Sequence, residues 1–204
     1  MKQIKITKTD ICTALLTLMS ALPGVIVYTK IPDRIATHFG INGEPDSWSS
    51  KVFAVFGLPL VLAALHMIAC IITNLDERTE KQKITGILHF VIPAVAFAVQ
   101  TMIILYALGI LSDVVTVSTC ILSLLFIVLG NYLPKTRQNS AVGVRTKKTL
   151  SDERVWEKTN RLAGYLMTAA GVISLTISFL GLAPFAIVLL STSLIVPVIY
   201  QAVI

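Results

Sequence analysis

The sequence is short of charged residues, and this scarcity excludes most soluble folds. Only 14% of its 204 residues are Asp, Glu, Lys or Arg, whereas soluble domains carry roughly 25%. The hydrophobic share of 55% and the mean hydropathy of +0.80 agree with this composition. We therefore predict an integral membrane protein.

Cysteine is also scarce, and the three cysteines all fall inside apolar segments. Cys12, Cys70 and Cys120 show neither the pattern of a disulfide framework nor the spacing of a standard metal site. We interpret them as small buried hydrophobic residues. The sequence thus predicts no metal and no cofactor.

The motifs of common membrane enzymes and pumps are missing. The chain has no H-E-x-x-H, no G-x-S-x-G and no paired carboxylates within its apolar segments. The acids nearest to those segments, Asp10 and Asp113, stand at segment ends. Nucleotide-binding motifs and a convincing internal repeat are missing too. We therefore expect a protein that is not an enzyme, with transport of a hydrophobic peptide or small molecule as the alternative.

What the sequence does contain is six long apolar segments. Each approaches the roughly 20 residues that cross a bilayer as a helix. The prediction is an all-α polytopic membrane protein with six transmembrane helices, divided into an N-terminal three-span region, 1–110, and a C-terminal three-span region, 111–204. The segments are 11–29, 52–73, 84–108, 114–133, 162–182 and 184–203.

The Lys and Arg residues predict the orientation of the chain. If the N-terminus lies inside, the inner segments hold three cations before the first apolar segment, three between the second and third, and eight between the fourth and fifth. The outer segments hold only Lys30, Arg34 and Lys51. Basic loops stay on the cytoplasmic side. We predict cytoplasmic N- and C-termini in a bacterial-type plasma membrane.

The predicted outer loop, 30–51, has the composition of a folded loop. An Asn–Gly pair marks a tight turn, and aromatic residues flank it. One interpretation is an aromatic anchor at the membrane surface, and the other is a ligand-facing surface. A metal site from His38, Glu44 and Asp46 would fit no standard spacing. The candidate ligand-facing residues are His38, Phe39, Asn42, Gly43, Asp46 and Trp48.

The predicted inner segment, 131–164, is the most distinctive part of the chain. It carries eight Lys or Arg residues among Pro, Asn, Gly, Thr and Trp. Thr149 and Asp152 have the spacing of a capping box, which predicts a helix that continues through Trp156 into the fifth span. That helix is expected near the lipid headgroups, with Trp156 at the interface. The cations could serve anionic lipid alone, or they could form a docking patch for a cytoplasmic protein.

The inner segment resembles the signature of a known family, the SdpI-type immunity proteins. The residues that carry the resemblance are Gly143-Val144-Arg145-Thr146, Thr149-Leu150-Ser151-Asp152-Glu153, Val155-Trp156, Lys158-Thr159, Arg161 and Gly164, preceded by Asn131, Pro134, Lys135 and Asn139. The outer loop is similar to the N-terminal domain usually found ahead of that signature. One departure is Asn160, where the family commonly has His.

The resemblance implies an immunity protein that protects the producing cell from a secreted toxic peptide acting on the membrane. It also implies signal transduction, in which a cytoplasmic repressor is held at the membrane. The implied partners are the toxic peptide, the repressor and membrane lipids, without direct binding of nucleic acid. The implied partner-binding residues of the inner segment are Pro134, Lys135, Asn139, Gly143, Arg145, Thr146, Thr149, Trp156 and Arg161.

Two histidines fall inside predicted spans. His66 precedes the inner end of the second span and His89 follows the inner start of the third. At about 1.5 Å per residue they lie at similar depth, so the two side chains are expected to meet. Intramembrane ionisable residues often have a function. The simpler interpretation is that each neutral ring bonds a backbone carbonyl or a hydroxyl.

Overall fold

The computed structural model describes residues 6–75 and 83–204. Within these ranges six helices are long and apolar enough to span a membrane, which confirms the predicted all-α polytopic fold. We number them first to sixth: Lys8–Ile26, Phe53–Asn74, Thr85–Ala107, Val114–Lys135, Glu153–Phe179 and Ala183–Val203. Four of the predicted inner cations, Lys2, Lys5, Arg78 and Lys81, lie outside the described residues, and the orientation stays a prediction.

The first two spans are not continuous α-helices. In the first span an α-helix, Lys8–Leu18, is followed by a 3₁₀ turn, Met19–Ala21, and a short helix, Leu22–Ile26. The tightening occurs beside Pro23, which has no backbone N–H to donate to the preceding turn. The second span begins with a π-helical turn, Phe53–Gly57, and continues as the α-helix Leu58–Asn74.

The third to sixth spans are longer helices. The third belongs to the helix Lys83–Ala107, the fourth is Val114–Tyr132 with a 3₁₀ end at Leu133–Lys135, and the sixth is Ala183–Val203. The fifth, Glu153–Phe179, starts nine residues before the predicted 162. Gly181, with φ +78°, closes the tight turn into the sixth span.

The spans pack as two interconnected groups. The first three contact one another, the last three contact one another, and the third packs on the fourth. Small residues bring the fourth and fifth spans together, since a Cβ on Gly164 would lie 2.4 Å from Pro134 Cδ and 2.6 Å from the Gly130 carbonyl oxygen. Close backbone approach of this kind is how membrane helices associate. The division of the chain at residue 110 stays a prediction.

The loop between the first two spans forms a β-hairpin. The sequence predicted a folded loop with a tight turn but not its two strands. Strand β1, Arg34–Phe39, pairs antiparallel with β2, Pro45–Ser50, and bulges interrupt the register near His38. Ile35 and Ala36 of β1 are buried, and Ile35 belongs to the hydrophobic core shared by the second, third and fourth spans. The hairpin is therefore anchored on the helices and is not a free loop.

Candidate functional site

The hairpin presents part of the predicted ligand-facing set to solvent and uses the rest for packing. Trp48 is 48% exposed, and the exposed His38 and Asp46 side chains pair with each other at 2.5 Å between Nδ1 and Oδ1. Phe39 is half-buried and packs edge-on against Tyr106, with 4.8 Å between ring centroids. Its position is that of an anchor between the hairpin and the third span.

The Asn–Gly turn of the hairpin is held by a side-chain hydrogen bond and by the backbone conformation of its glycine. Asn42 Oδ1 accepts a bond from the Glu44 N–H, and Gly43 adopts a φ of +83° that favours glycine. A Cβ on Gly43 would lie 2.9 Å from Val115 Cγ2. The turn thus sits close against the start of the fourth span, and its tip is confined.

The uncharged residues of the inner segment form a buried hydrogen-bonded frame. Asn139 receives the N–H groups of Ala141 and Val142 and donates to the carbonyls of Arg137 and Val142. Further along, Asn160 Oδ1 accepts from the Val144 N–H and its Nδ2 donates to the Trp156 carbonyl. Asn160, the departure from the family pattern, therefore has a clear structural role here.

Two predictions for this segment are wrong. Trp156 does not lie at the lipid interface, because it is fully buried and its Nε1–H donates to the Thr136 carbonyl at 3.0 Å. The capping box also lies three residues earlier than predicted. Thr146 is the N-cap of a short helix, Lys147–Ser151, with Thr149 as its partner, and Asp152 is instead the N-cap of the fifth span.

The frame also connects the inner segment to the end of the sixth span. Thr146 Oγ1 bonds the side chain of Gln201, and Lys148 Nζ donates to the Ala202 carbonyl. Thr149 is completely buried, and its hydroxyl donates to the Val144 carbonyl. The segment is therefore a folded layer that closes one end of the last three spans.

The cations of the inner segment lie on the outside of this layer. All eight are exposed, whereas Thr136, Asn139, Thr149, Trp156 and Asn160 are buried. Arg145 reaches back to bond the Ser140 carbonyl. The eight cations are Lys135, Arg137, Arg145, Lys147, Lys148, Arg154, Lys158 and Arg161. The signature thus combines a buried uncharged scaffold with a charged surface.

A groove of about 860 Å³ runs along the fourth and fifth spans beside this surface. It brings together three predicted partner-binding residues, Pro134, Lys135 and Arg161, at one end, while Val172 and Ile173 contribute apolar wall further along. A cationic end and apolar walls suit an amphipathic molecule. Sequence reasoning named the three residues without predicting the groove.

A cluster of polar side chains lies buried between the first three spans. The predicted meeting of His66 and His89 is confirmed, with 6.4 Å between ring centroids. His66 Nε2 bonds Thr13 Oγ1 at 2.9 Å, and His89 Nδ1 lies 2.6 Å from the Thr85 carbonyl oxygen. Both contacts are of the kind expected for the simpler interpretation.

Sequence reasoning missed the acidic member of this cluster. Asp10 is only 1% exposed, and its Oδ1 lies 2.7 Å from His89 Nε2. Its Oδ2 accepts the Thr7 N–H and the Asn74 amide. Cys70 is also buried here, whereas Cys12 is exposed on the surface of the first span, contrary to its prediction as a buried residue. The capping box of Thr7 and Asp10 was the available signal.

Comparison with known proteins agrees with this architecture. Residues 135–201 match the SdpI/YfhL protein family, and residues 15–63 match a domain of unknown function, DUF1648. The chain is 26% identical over 175 residues to the immunity protein SdpI of Bacillus subtilis (strain 168). The aligned region covers 84% of this chain and 82% of that protein. No solved structure matches.

The fold and these matches define a multi-pass protein of the plasma membrane. The matches agree with the resemblance drawn from the motifs: residues 135–201 are similar to the SdpI/YfhL family, and most of the chain is similar to one immunity protein.

Proposed function

We propose that this chain is an immunity protein that protects its cell from a secreted, membrane-active toxic peptide. The observation that carries the proposal is the similarity to the immunity protein SdpI over 84% of the chain. The structure adds an anchored hairpin with one half-exposed indole, Trp48, which suits contact with a hydrophobic peptide at the membrane surface. In this function the chain acts by binding and not as an enzyme.

The test is survival of a sensitive bacterium that expresses this chain and is challenged with the secreted toxic peptide of a related producer. We expect survival with the wild-type chain and death with an empty vector. Death at normal membrane abundance of the chain would contradict protection against that peptide. The membrane fraction is quantified in every arm, so that failed insertion is not mistaken for failed protection.

Substitution of Trp48 tests whether the hairpin captures the peptide. Its indole is half-exposed, and Trp48→Ala removes an amphipathic contact surface without opening the core. We expect a several-fold loss of survival, with Trp48→Phe as the matched variant that keeps most protection. Full protection by Trp48→Ala at equal abundance would mean that the peptide is not captured through this face.

A signalling role is favoured by the exposed cations of the inner segment. In this part of the proposal a cytoplasmic repressor docks on the short helix Lys147–Ser151 and the residues beside it, including Arg145. Exchange of Lys147 and Lys148 for Gln is expected to release a co-expressed repressor from the membrane fraction while survival is kept. The matched control, exchange of Lys30 and Arg34 for Gln, removes the same charge at the opposite end. Equal recruitment by both variants would contradict docking at this surface.

A second candidate function is export of the peptide, and the buried Asp10–His89 pair favours it. Ionisable groups inside membrane bundles frequently belong to transport paths. Export predicts that cells expressing the chain accumulate less labelled peptide in total, whereas capture predicts that they keep it at the membrane. The amount of labelled peptide per cell therefore separates the two functions.

A further inference from the structure

We propose that Asp10, Cys70 and His89 form a zinc site between the first three spans. Each residue comes from a different span and each is buried. One ligand atom from each, a carboxylate oxygen, Sγ and an imidazole nitrogen, lie within 4.8 Å of one another. Among the residues that the structure describes, this is the one group of three His, Cys or acidic side chains that meets this distance.

The surroundings of His89 suit a bound cation. Nδ1 lies 2.6 Å from the Thr85 carbonyl oxygen, and Nε2 lies 2.7 Å from Asp10 Oδ1. Both neighbours are acceptors, so a neutral ring that donates through Nδ1 would turn a lone pair toward the carboxylate. A proton on either residue satisfies this contact, and a metal ion placed between Nε2 and Oδ1 would satisfy it equally.

The outer contacts already orient the side chains as zinc ligands. Metal-binding histidines usually donate their second ring N–H to a carbonyl or carboxylate, which is what His89 does toward Thr85. The Asp10 carboxylate is fixed through Oδ2 by the Thr7 N–H at 2.7 Å and the Asn74 amide at 2.8 Å. Its Oδ1 and His89 Nε2 are the two atoms left to face each other.

The charges of the donors match a divalent ion. A carboxylate and a thiolate neutralise two positive charges, and an imidazole adds none, so the site would be neutral in a low-dielectric bundle. Binding releases two protons, one from the Cys70 thiol and the one shared by Asp10 and His89. A thiolate and imidazole among the donors favours zinc over magnesium or calcium.

Space for an ion lies beside the cluster, and a water molecule would complete a tetrahedral set of ligands. A cavity of about 40 Å³ is lined by His66, Cys70 and His89, and His66 Nε2 is bonded to Thr13 Oγ1. One ion or water needs roughly 10–15 Å³ of such space. Neighbouring ligand atoms of tetrahedral zinc stand roughly 3–4 Å apart, so the Asp10–His89 contact must open slightly.

Direct binding to purified, tag-free protein in detergent tests the site, independently of any immunity function. We expect about one Zn²⁺ per chain by equilibrium dialysis, and a cobalt–thiolate charge-transfer band when Co²⁺ is added. Cys70→Ser is expected to remove the band and weaken binding more than about 100-fold, beyond the 10- to 100-fold typical of an outer-contact loss. Cys120→Ser, at a half-buried cysteine of the fourth span and outside the cluster, is the matched control and should bind as wild type.

A second measurement uses only the wild-type chain, so a variant that fails to fold leaves the outcome clear. X-ray absorption of the zinc-loaded protein should show one sulfur ligand at about 2.3 Å among nitrogen and oxygen ligands. Absence of stoichiometric zinc, or zinc with no sulfur ligand, would overturn the proposal. Full retention of the cobalt band by a folded Cys70→Ser variant would do the same.

Discussion

Individual residues of the inner segment are specified by the frame they close. Gly143 has a φ of +127°, and a Cβ there would lie 2.7 Å from Asn160 Oδ1 and 2.9 Å from Trp156 Cη2. Both the backbone conformation and the space therefore require glycine. This explains why a residue with no side chain belongs to the signature.

Gly143→Ala is expected to lower the free energy of unfolding by roughly 1–3 kcal/mol, because it forces a strained backbone and displaces the Asn160 amide. Resistance to thermal unfolding in detergent measures the effect. Gly86→Ala is the matched control, because a Cβ on Gly86 meets no atom within 4 Å and alanine is the better helix former. Equal losses in both variants would contradict a specific role for Gly143.

Trp156→Phe isolates one hydrogen bond of the frame. The exchange keeps an aromatic ring but leaves the Thr136 carbonyl without the indole donor, and an unsatisfied buried acceptor costs about 1–3 kcal/mol. We expect a lower thermal midpoint than wild type. Trp48→Phe, at an exposed indole, should leave the midpoint unchanged, and a similar fall there would show that the measurement reports lost ring area and not the bond.

At the scale of elements, the fourth span begins with a titratable cap. Asp113 Oδ1 accepts the Thr116 N–H at 3.0 Å, and this bond holds the pKa of Asp113 below its ordinary value of 3.8. The stabilisation is fully present above that ordinary value and is lost as the pH falls through the lowered pKa.

Asp113→Ala is therefore expected to destabilise the protein by about 1 kcal/mol at pH 7, and the difference from wild type should shrink as the pH falls below 3.8. Denaturant unfolding across pH 7 to about pH 3 measures it. Asp113→Asn keeps an acceptor that does not titrate, so its stability should change less over this range. A constant difference between Asp113→Ala and wild type would argue against the cap as its source.

The sequence predicted the spans well and their connections poorly. Hydropathy located all six helices, because a bilayer demands about 20 apolar residues wherever a helix crosses it. Hydropathy alone placed the start of the fifth span at 162, because the residues before it are charged. The predicted helix through Trp156 into that span is confirmed, and Asp152 caps it. The capping box was misplaced because the partner of Thr146 is the neutral Thr149.

The candidate sites were only partly predictable, because several of their residues are positioned by partners far away in the chain. The meeting of His66 and His89 followed from depth along two neighbouring helices, a local calculation. The burial of Asp10 depends on Asn74 and His89, which are far away in the chain. Trp156 was placed at the interface from its charged neighbours, whereas its own environment is set by Thr136.

For the whole molecule, the predicted orientation is the property to test first. Ser47 on the hairpin and Ser151 on the short helix are exposed and lie in segments predicted on opposite sides of the membrane. With Ser47→Cys, an impermeant maleimide should label intact cells. With Ser151→Cys, it should label only after the membrane is opened, and the wild-type chain gives the background from its native cysteines. The reverse pattern would invert the topology.

The separation of exposed cations from a buried uncharged frame has a consequence for biogenesis. The exposed cations are expected to set the orientation while the helices are being inserted, whereas the frame of Asn139, Trp156 and Asn160 can form only after the fourth and fifth spans are in place. Topogenesis and tertiary folding of this region are thus governed by different side chains. Either process could be redesigned in this chain with little effect on the other.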